Sequence, residues 1–207
     1  MKLISKDGKQ YLSDVLDEEG IHELLFILPS KNRPILFKWI RELSSPLDEQ
    51  SKILAYSLFG SDILNVIEVG SSKGLQQIHA YIFAGLYDFA GKIRNKNISK
   101  NGFTFANHMV LENVLQQIDA MPEESLEQIV DKYIEMNIAH PFLEGNGRAT
   151  RIWLDLILKK RLKKCVDWSL IDKKEYLHAM ECSPMDSSHI YNLIKDALTN
   201  LIHDREI

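Results

Sequence analysis

An all-α fold carrying one small β-hairpin is what this sequence predicts, and three observations predict it. Apolar residues recur at helical spacing through most of the chain, as in Leu75, Ile78, Ile82, Phe83 and Leu86. Prolines and glycines punctuate those runs, at Pro29, Pro46, Gly60, Gly91 and Pro122. The pattern breaks between Lys92 and Ala106, where alternating apolar residues flank Asn101-Gly102, a strong short-range hairpin signal.

Taken in order, Asp17 is placed to cap a helix carrying Ile21, Leu24, Leu25 and Leu28, which Pro29 stops. Residues 35–43 put Ile35, Trp39, Ile40 and Leu43 along one face. Ser45-Pro46 pairs an N-cap with proline at the first helical position, opening a helix to about Phe59. The composition changes character there, so residues 1–45 read as an N-terminal helical extension and 46–207 as the main domain. The run from Leu75 to Leu86 is expected to stop by Gly91. A two-stranded ribbon around Asn101-Gly102 is marginal alone, so it should lean on the helices or on a ligand. Val110, Val114, Leu115 and Ile118 form the next helix, ended by Met121-Pro122. Ser125 caps the one after, whose stripe is Leu126, Ile129, Val130, Tyr133 and Ile134. Another begins at about Gly147 and carries Ile152, Trp153, Leu156 and Ile157, and the tail adds helices over 173–180 and 188–202.

Bulk properties narrow the function. The chain has 207 residues, enough for one full domain and an extension. Its 45% hydrophobic and 26% charged content is ordinary globular usage. A net charge of -4 argues against electrostatic binding of nucleic acid. The local cluster Lys159, Lys160, Arg161, Lys163 and Lys164 reads as a helix end, where cations offset exposed carbonyls. Cys165 and Cys182 have no metal-like or redox-like spacing and read as reduced thiols. The opening MKLISKDGKQYL lacks the apolar core of a signal peptide, and no apolar run reaches bilayer length. A soluble cytoplasmic protein without membrane partners is therefore expected. His79, His108 and His178 lack a ligand-like arrangement and read as structural or exposed.

Chemistry concentrates in His140-Pro141-Phe142-Leu143-Glu144-Gly145-Asn146-Gly147-Arg148-Ala149-Thr150-Arg151. A glycine turn at a helix start presents backbone N–H groups that have no intrahelical partner. With the helix dipole they make an anion site, and Gly145 and Gly147 let a phosphate approach the backbone. Arg148 and Arg151 lie three apart on one face, where both can reach a polyphosphate. Glu144 stands at the mouth of that site, and magnesium favours one or two carboxylates with phosphate oxygens. His140 has an ordinary pKa suited to taking a proton near neutrality. A base, a metal carboxylate, an anion turn and two cations suit phosphoryl or nucleotidyl transfer.

These residues match the signature H-x-F-x-[D/E]-G-N-G-R-x-x-R without a departure, and the chain so resembles the Fic family. The resemblance covers roughly residues 47–206, of the small bacterial single-domain kind, and implies a Fic-type helical bundle with a β-hairpin flap. It implies a protein adenylyltransferase that moves AMP from ATP to a Tyr, Ser or Thr hydroxyl of a target protein. By that resemblance His140 deprotonates the hydroxyl and Glu144 holds magnesium, for which manganese could substitute. Gly145, Asn146 and Gly147 grip phosphates, Arg148 takes the β-phosphate region, and Arg151 the γ-phosphate. Phe142 anchors the loop. The flap formed by Ile98, Ser99, Lys100, Asn101, Gly102 and Phe103 docks the target as an added strand.

Members of this kind carry an inhibitory helix whose Ser/Thr-x-x-x-Glu-Gly/Asn glutamate pairs with the second motif arginine. The sequence ends at Asp204-Arg205-Glu206-Ile207, about where that helix would begin, so either the protein lacks it or the sequence stops short of it; lacking it, Arg151 would be free and activity constitutive. A partial match, Ser45-Pro-Leu-Asp-Glu49, is followed by Gln50 and not by Gly or Asn. An inhibitor supplied in trans and a self-inhibiting homo-oligomer stay open. The alternatives to AMP transfer are transfer of another phosphate group at the same site, removal of AMP from a modified target, and a catalytically silent binding partner.

Overall fold

The computed structural model describes residues 2–4, 10–12, 47–100 and 103–202, and the chain divides into two compact units, Met1–Leu64 and Asn65–Ile207. In the first unit, β1 (Lys2–Ile4) pairs antiparallel with β2 (Gln10–Leu12), a pairing the sequence patterns did not suggest. Its helix α1 (Leu47–Phe59) starts where Ser45-Pro46 predicts, and Glu49 pairs with Lys52 one turn along that helix at 2.9 Å. The helices expected over 17–28 and 35–43 lie outside the described residues.

The second unit carries α2 (Ser72–Ile82), β3 (Ser99–Lys100), β4 (Phe103–Thr104), α3 (Leu111–Asp119) and α4 (Leu126–Ala139). After them come α5 (Asn146–Leu162), β5 (Cys165–Val166), α6 (Lys173–Cys182), α7 (Ser188–Asp196) and β6 (Leu198–Thr199). The hydroxyl of Ser71 caps α2, and Ser125 with Gln128 forms a full capping box on α4. Central to the unit is α5, packed on α2 and on α4. Ala149, Ile152, Trp153, Leu154, Leu156, Ile157 and Leu158 are buried around most of its circumference, as in a helix enclosed on several sides. Trp153 donates its indole N–H to the Ser71 carbonyl at 3.0 Å, fixing α5 to the start of α2. The basic cluster is a helix end as read: Lys159, Lys160 and Arg161 occupy the last turn of α5, before a left-handed cap at Lys163.

Two boundaries differ from expectation. α2 stops at Ile82, and the apolar run to Leu86 continues as turns, with Phe83 buried beneath the site described below. The tail helix expected over 188–202 ends at Asp196, because Leu198 and Thr199 pair antiparallel with Val166 and Cys165. The Asp167 N–H also bonds the Ala197 carbonyl at 2.8 Å, so backbone pairing with a distant segment overrides the helical pattern there.

Candidate active site

His140 is the C-cap of α4 and holds a left-handed backbone, φ 48° and ψ 64°. Non-glycine residues seldom do so, and here the surroundings enforce it. Arg94, 3% exposed, donates from Nε to the His140 carbonyl at 2.8 Å. Its terminal nitrogens reach the carbonyls of Lys96 at 2.7 Å, Ala139 at 3.1 Å and Ala106. The Arg94 backbone N–H adds a bond to the Pro141 carbonyl at 2.8 Å. One guanidinium therefore joins the end of α4 to the segment that follows the β3–β4 ribbon.

The loop after His140 rests on buried groups. The ring of His79 accepts the Gly91 N–H at Nδ1, 2.9 Å away, so its proton is on Nε2, which donates to the Glu144 carbonyl at 2.9 Å. That ring stacks on Phe142 with centroids 3.8 Å apart, and Phe142 is fully buried, the anchor expected. Asn146 departs from the expectation that its side chain grips phosphate. It is 2% exposed, its Oδ1 accepts the Phe142 N–H, and its Nδ2 donates to the Phe142 carbonyl, each at 2.8 Å. Both ends of the amide close the loop, which leaves Asn146 its backbone N–H to offer a ligand.

The two glycines differ in what requires them. Gly145 holds φ 80°, and a Cβ there would stand 2.4 Å from the Phe83 ring, so backbone and packing both demand glycine. At Gly147 a Cβ would meet nothing within 4 Å. The fold leaves that space open directly beside the helix start. The first bond of the α5 ladder runs from the Ala149 N–H to the Gly145 carbonyl at 3.2 Å, so the N–H groups of Asn146 and Gly147 precede it. With the helix dipole they make this helix start electropositive, the chemistry that suits an anion. Arg151, one turn on, donates from Nε to the Gly147 carbonyl at 3.2 Å. Glu144 is exposed and accepts the Gly145 N–H at 3.1 Å. Among the described residues no group of three or more His, Cys, Asp and Glu is arranged to hold a metal. One exposed hard-oxygen donor fits magnesium, which takes its other ligands from phosphates and water.

His140 is arranged as a neutral base. Its Nδ1 lies 3.2 Å from the Asn137 carbonyl, which only accepts, so Nδ1 carries the proton and Nε2 keeps its lone pair. The ring stacks on Phe105, centroids 3.8 Å apart at 15°. Burial is the main force lowering its pKa to about 4; Lys100 and Arg94 act in the same direction, while the Asn137 bond and Glu144 oppose them. The ring is accordingly expected to take up its second proton near pH 4 and not near 6.5. An NMR titration of the His140 ring would check this, and a midpoint at 6.5 would contradict it.

Asp155 titrates in the opposite sense. Burial pushes its carboxyl from 3.8 to about 6, opposed by bonds from the Trp168 indole at 2.8 Å and the Val166 N–H at 2.9 Å. Between about pH 4 and 6.5 the unfolded chain holds more proton at His140, so that group gains stability for the fold as pH rises. Asp155 holds more proton in the fold between 3.8 and about 6, so its contribution falls as pH rises. Asp155→Asn should therefore show stability climbing more steeply across pH 4–6.5 than wild type. Denaturant titrations at several pH values measure this, and parallel curves would refute it.

The β3–β4 ribbon leads into the Phe105 ring that stacks on His140. Ser99 pairs with Thr104 and Lys100 with Phe103, while Asn101 and Gly102 lie outside the described residues. The Phe105 N–H bonds the Ile98 carbonyl at 3.3 Å, and the Ala106 N–H bonds the Ile138 carbonyl at 3.2 Å. Phe105 thus bridges ribbon and base, touching Phe103 edge-on at 5.3 Å and His140 face-on. The structure brings His140, Glu144, Gly145, Gly147 and Arg151 onto one loop and helix start. Sequence reading missed Arg94 and Phe105 as parts of the site, and His79 carried no signal beyond that of a structural residue. A lone cation in a loop has no motif to mark it; Phe105 shared in the hairpin alternation without showing what it faces.

The Fic/DOC family model matches residues 70–158 of the chain. Relatives include the protein adenylyltransferase VbhT of Bartonella schoenbuchensis, 29% identical over 147 residues, which cover 64% of this chain and 30% of that protein. The probable protein adenylyltransferase Fic of Escherichia coli is 25% identical over 122 residues, 54% of this chain and 60% of that protein. The matched stretch thus spans less than two thirds of the length of either relative. In fold it is similar to BepC, a VirB-translocated effector of Bartonella tribocorum crystallised with AMPPNP. The TM-score is 0.61 at 19% identity, covering 74% of this chain and 86% of that one.

Proposed function

We propose, from the match of residues 70–158 to the Fic/DOC family model, that the protein is an adenylyltransferase moving AMP from ATP to a Tyr, Ser or Thr hydroxyl of a target protein. The observation that carries this reading is the pairing of a neutral, Nε2-basic His140 with an open anion-binding helix start seven residues later at Gly147. The target oxygen bonds to the α-phosphorus, the bond from that phosphorus to the bridging oxygen breaks, and pyrophosphate leaves. The hydroxyl proton goes to His140 Nε2. A base with a pKa near 4 is too weak to ionise the hydroxyl beforehand, so it takes the proton as the new P–O bond forms.

The N–H groups of Asn146 and Gly147, exposed by the turn at Gly145, and the cations Arg148 and Arg151 hold the polyphosphate. Glu144 would hold magnesium, or manganese in its place, which when bound supplies positive charge against the departing pyrophosphate. The target lies along the flap as an added strand, with Ile98, Ser99, Lys100 and Phe103 beside it. Residues 46–207 form the catalytic domain and 1–45 an extension. The site works in the cytoplasm. Among the described residues no helix is long and apolar enough to cross a membrane.

Incubation with a cytosolic extract and ATP labelled on the α-phosphate tests the reading. Wild type should label a protein, and mass spectrometry should find AMP on a hydroxyl side chain. His140→Ala should lower the rate by about 10²–10⁴. Transfer of a γ-phosphate label instead, or equal labelling by His140→Ala, would overturn it.

A further inference from the structure

Arg151 is held by aromatic rings supplied from beyond the segment that carries the motif. Its guanidinium carbon lies 5.5 Å from the centroid of Trp168 and 6.0 Å from that of Tyr176. The two rings meet edge to face at 87° with centroids 5.8 Å apart, forming two walls of a corner around the cation. Each wall is fixed from behind. The Trp168 indole N–H donates to the buried carboxylate of Asp155 at 2.8 Å, and Asp155 also accepts the Val166 N–H at 2.9 Å. The Tyr176 hydroxyl bonds that of Tyr133, which is fully buried, and Asn137 donates to the Tyr133 carbonyl at 2.9 Å. Trp168 and Tyr176 both lie outside the matched residues 70–158.

We propose that Trp168 and Tyr176 are positioning residues that aim Arg151 at the terminal phosphate of a nucleoside triphosphate, so that the site selects triphosphates over diphosphates. The inference rests on the reading of Arg151 as the γ-phosphate contact. The physical case is a comparison of ways to hold an arginine. A carboxylate partner would fix the side chain and also neutralise it, and the described residues give Arg151 no ion pair. Ring faces attract the guanidinium through the quadrupole and leave its charge and its outward N–H groups available to an anion. The Nε bond to the Gly147 carbonyl ties the other end of the group to the helix start, within one turn of the glycine turn. An arginine ordered in advance loses less side-chain freedom when the ligand arrives.

Calorimetry with the magnesium complexes of AMPPNP and ADP tests this on the whole chain. Wild type should prefer the triphosphate analogue, and Arg151→Ala should abolish the preference. Trp168→Leu and Tyr176→Leu should each weaken AMPPNP about 5–10-fold while moving ADP less than about 2-fold, an effect of cation–π size. Trp168→Phe and Tyr176→Phe, which keep a ring face, should recover most of the preference. AMP transfer by the leucine variants should show a raised KM for ATP with a smaller change in kcat. Weakening of both ligands together would mark a merely structural role and overturn the proposal, as would an unchanged preference in both leucine variants. A wild type with no preference, insensitive to Arg151→Ala, would instead sink the reading of Arg151 on which the proposal depends.

Discussion

Gly147→Ala is expected to fold as well as wild type and to lose nucleotide binding. The residue lies in the first turn of α5, it is not among the glycines with positive φ, and a Cβ there would touch nothing within 4 Å. Alanine is the better helix former by up to about 1 kcal/mol, so the melting temperature should hold or rise slightly. The methyl group would, however, fill the space through which a phosphate reaches the first-turn N–H groups. Loss of one well-aimed donor to a developing anion costs on the order of 10²–10³ in rate, and kcat/KM for AMP transfer should fall by about that much. Gly145→Ala is the contrasting variant: φ 80° and the Phe83 ring forbid a side chain, so it should lose stability itself. Thermal unfolding and ATP calorimetry on the two proteins separate the cases. Gly147→Ala binding ATP like wild type would remove the anion site from this helix start.

Arg94→Met is expected to be among the most destabilising single changes in the second unit. The guanidinium satisfies the carbonyls of His140, Lys96, Ala106 and Ala139, and only 3% of the residue is exposed. Each buried acceptor left without a donor costs roughly 1–3 kcal/mol. Of the four, the Ala139 carbonyl is buried and would lose its donor outright, while water can reach that of exposed Lys96, so a loss of about 2–3 kcal/mol is expected. Activity should fall beyond the loss of folded protein, because the left-handed backbone of His140 and the root of the flap lose their common fastener. Arg94→Lys keeps the charge but not the fork, and should recover part of the stability and little of the rate. Equilibrium denaturation with activity measured on the folded fraction tests both. An Arg94→Met protein within about 1 kcal/mol of wild type would mean that water can replace the guanidinium.

Much of this was readable without coordinates. Ser125, Gln128 and the apolar stripe of α4 act over single turns, so local chemistry places that helix and ends it at His140. Asn101-Gly102 with its flanking alternation marks the ribbon, and the run from His140 to Arg151 carries base, carboxylate, glycine turn and cations in one contiguous segment. A site built on neighbouring residues is legible because sequence spacing nearly fixes spatial spacing.

What the sequence could not decide depends on partners far along the chain. Asn146 has the composition of a phosphate ligand, and only the packed loop shows its amide closed on Phe142. Gly145 and Gly147 look equivalent as letters; the Phe83 ring beneath one and the open space at the other distinguish them. Leu198 and Thr199 continue a helical pattern until strand pairing with residues 165 and 166 claims them. The ring corner around Arg151 and the arginine that fixes His140 join segments tens of residues apart. By itself the sequence determined the helices, the ribbon and the inventory of reacting groups, because those follow from interactions within a few residues. The tertiary structure alone decided which of these groups are enclosed, which close the loop on itself and which rest against another side chain, because burial and hydrogen-bond partnership exist only once distant segments have packed.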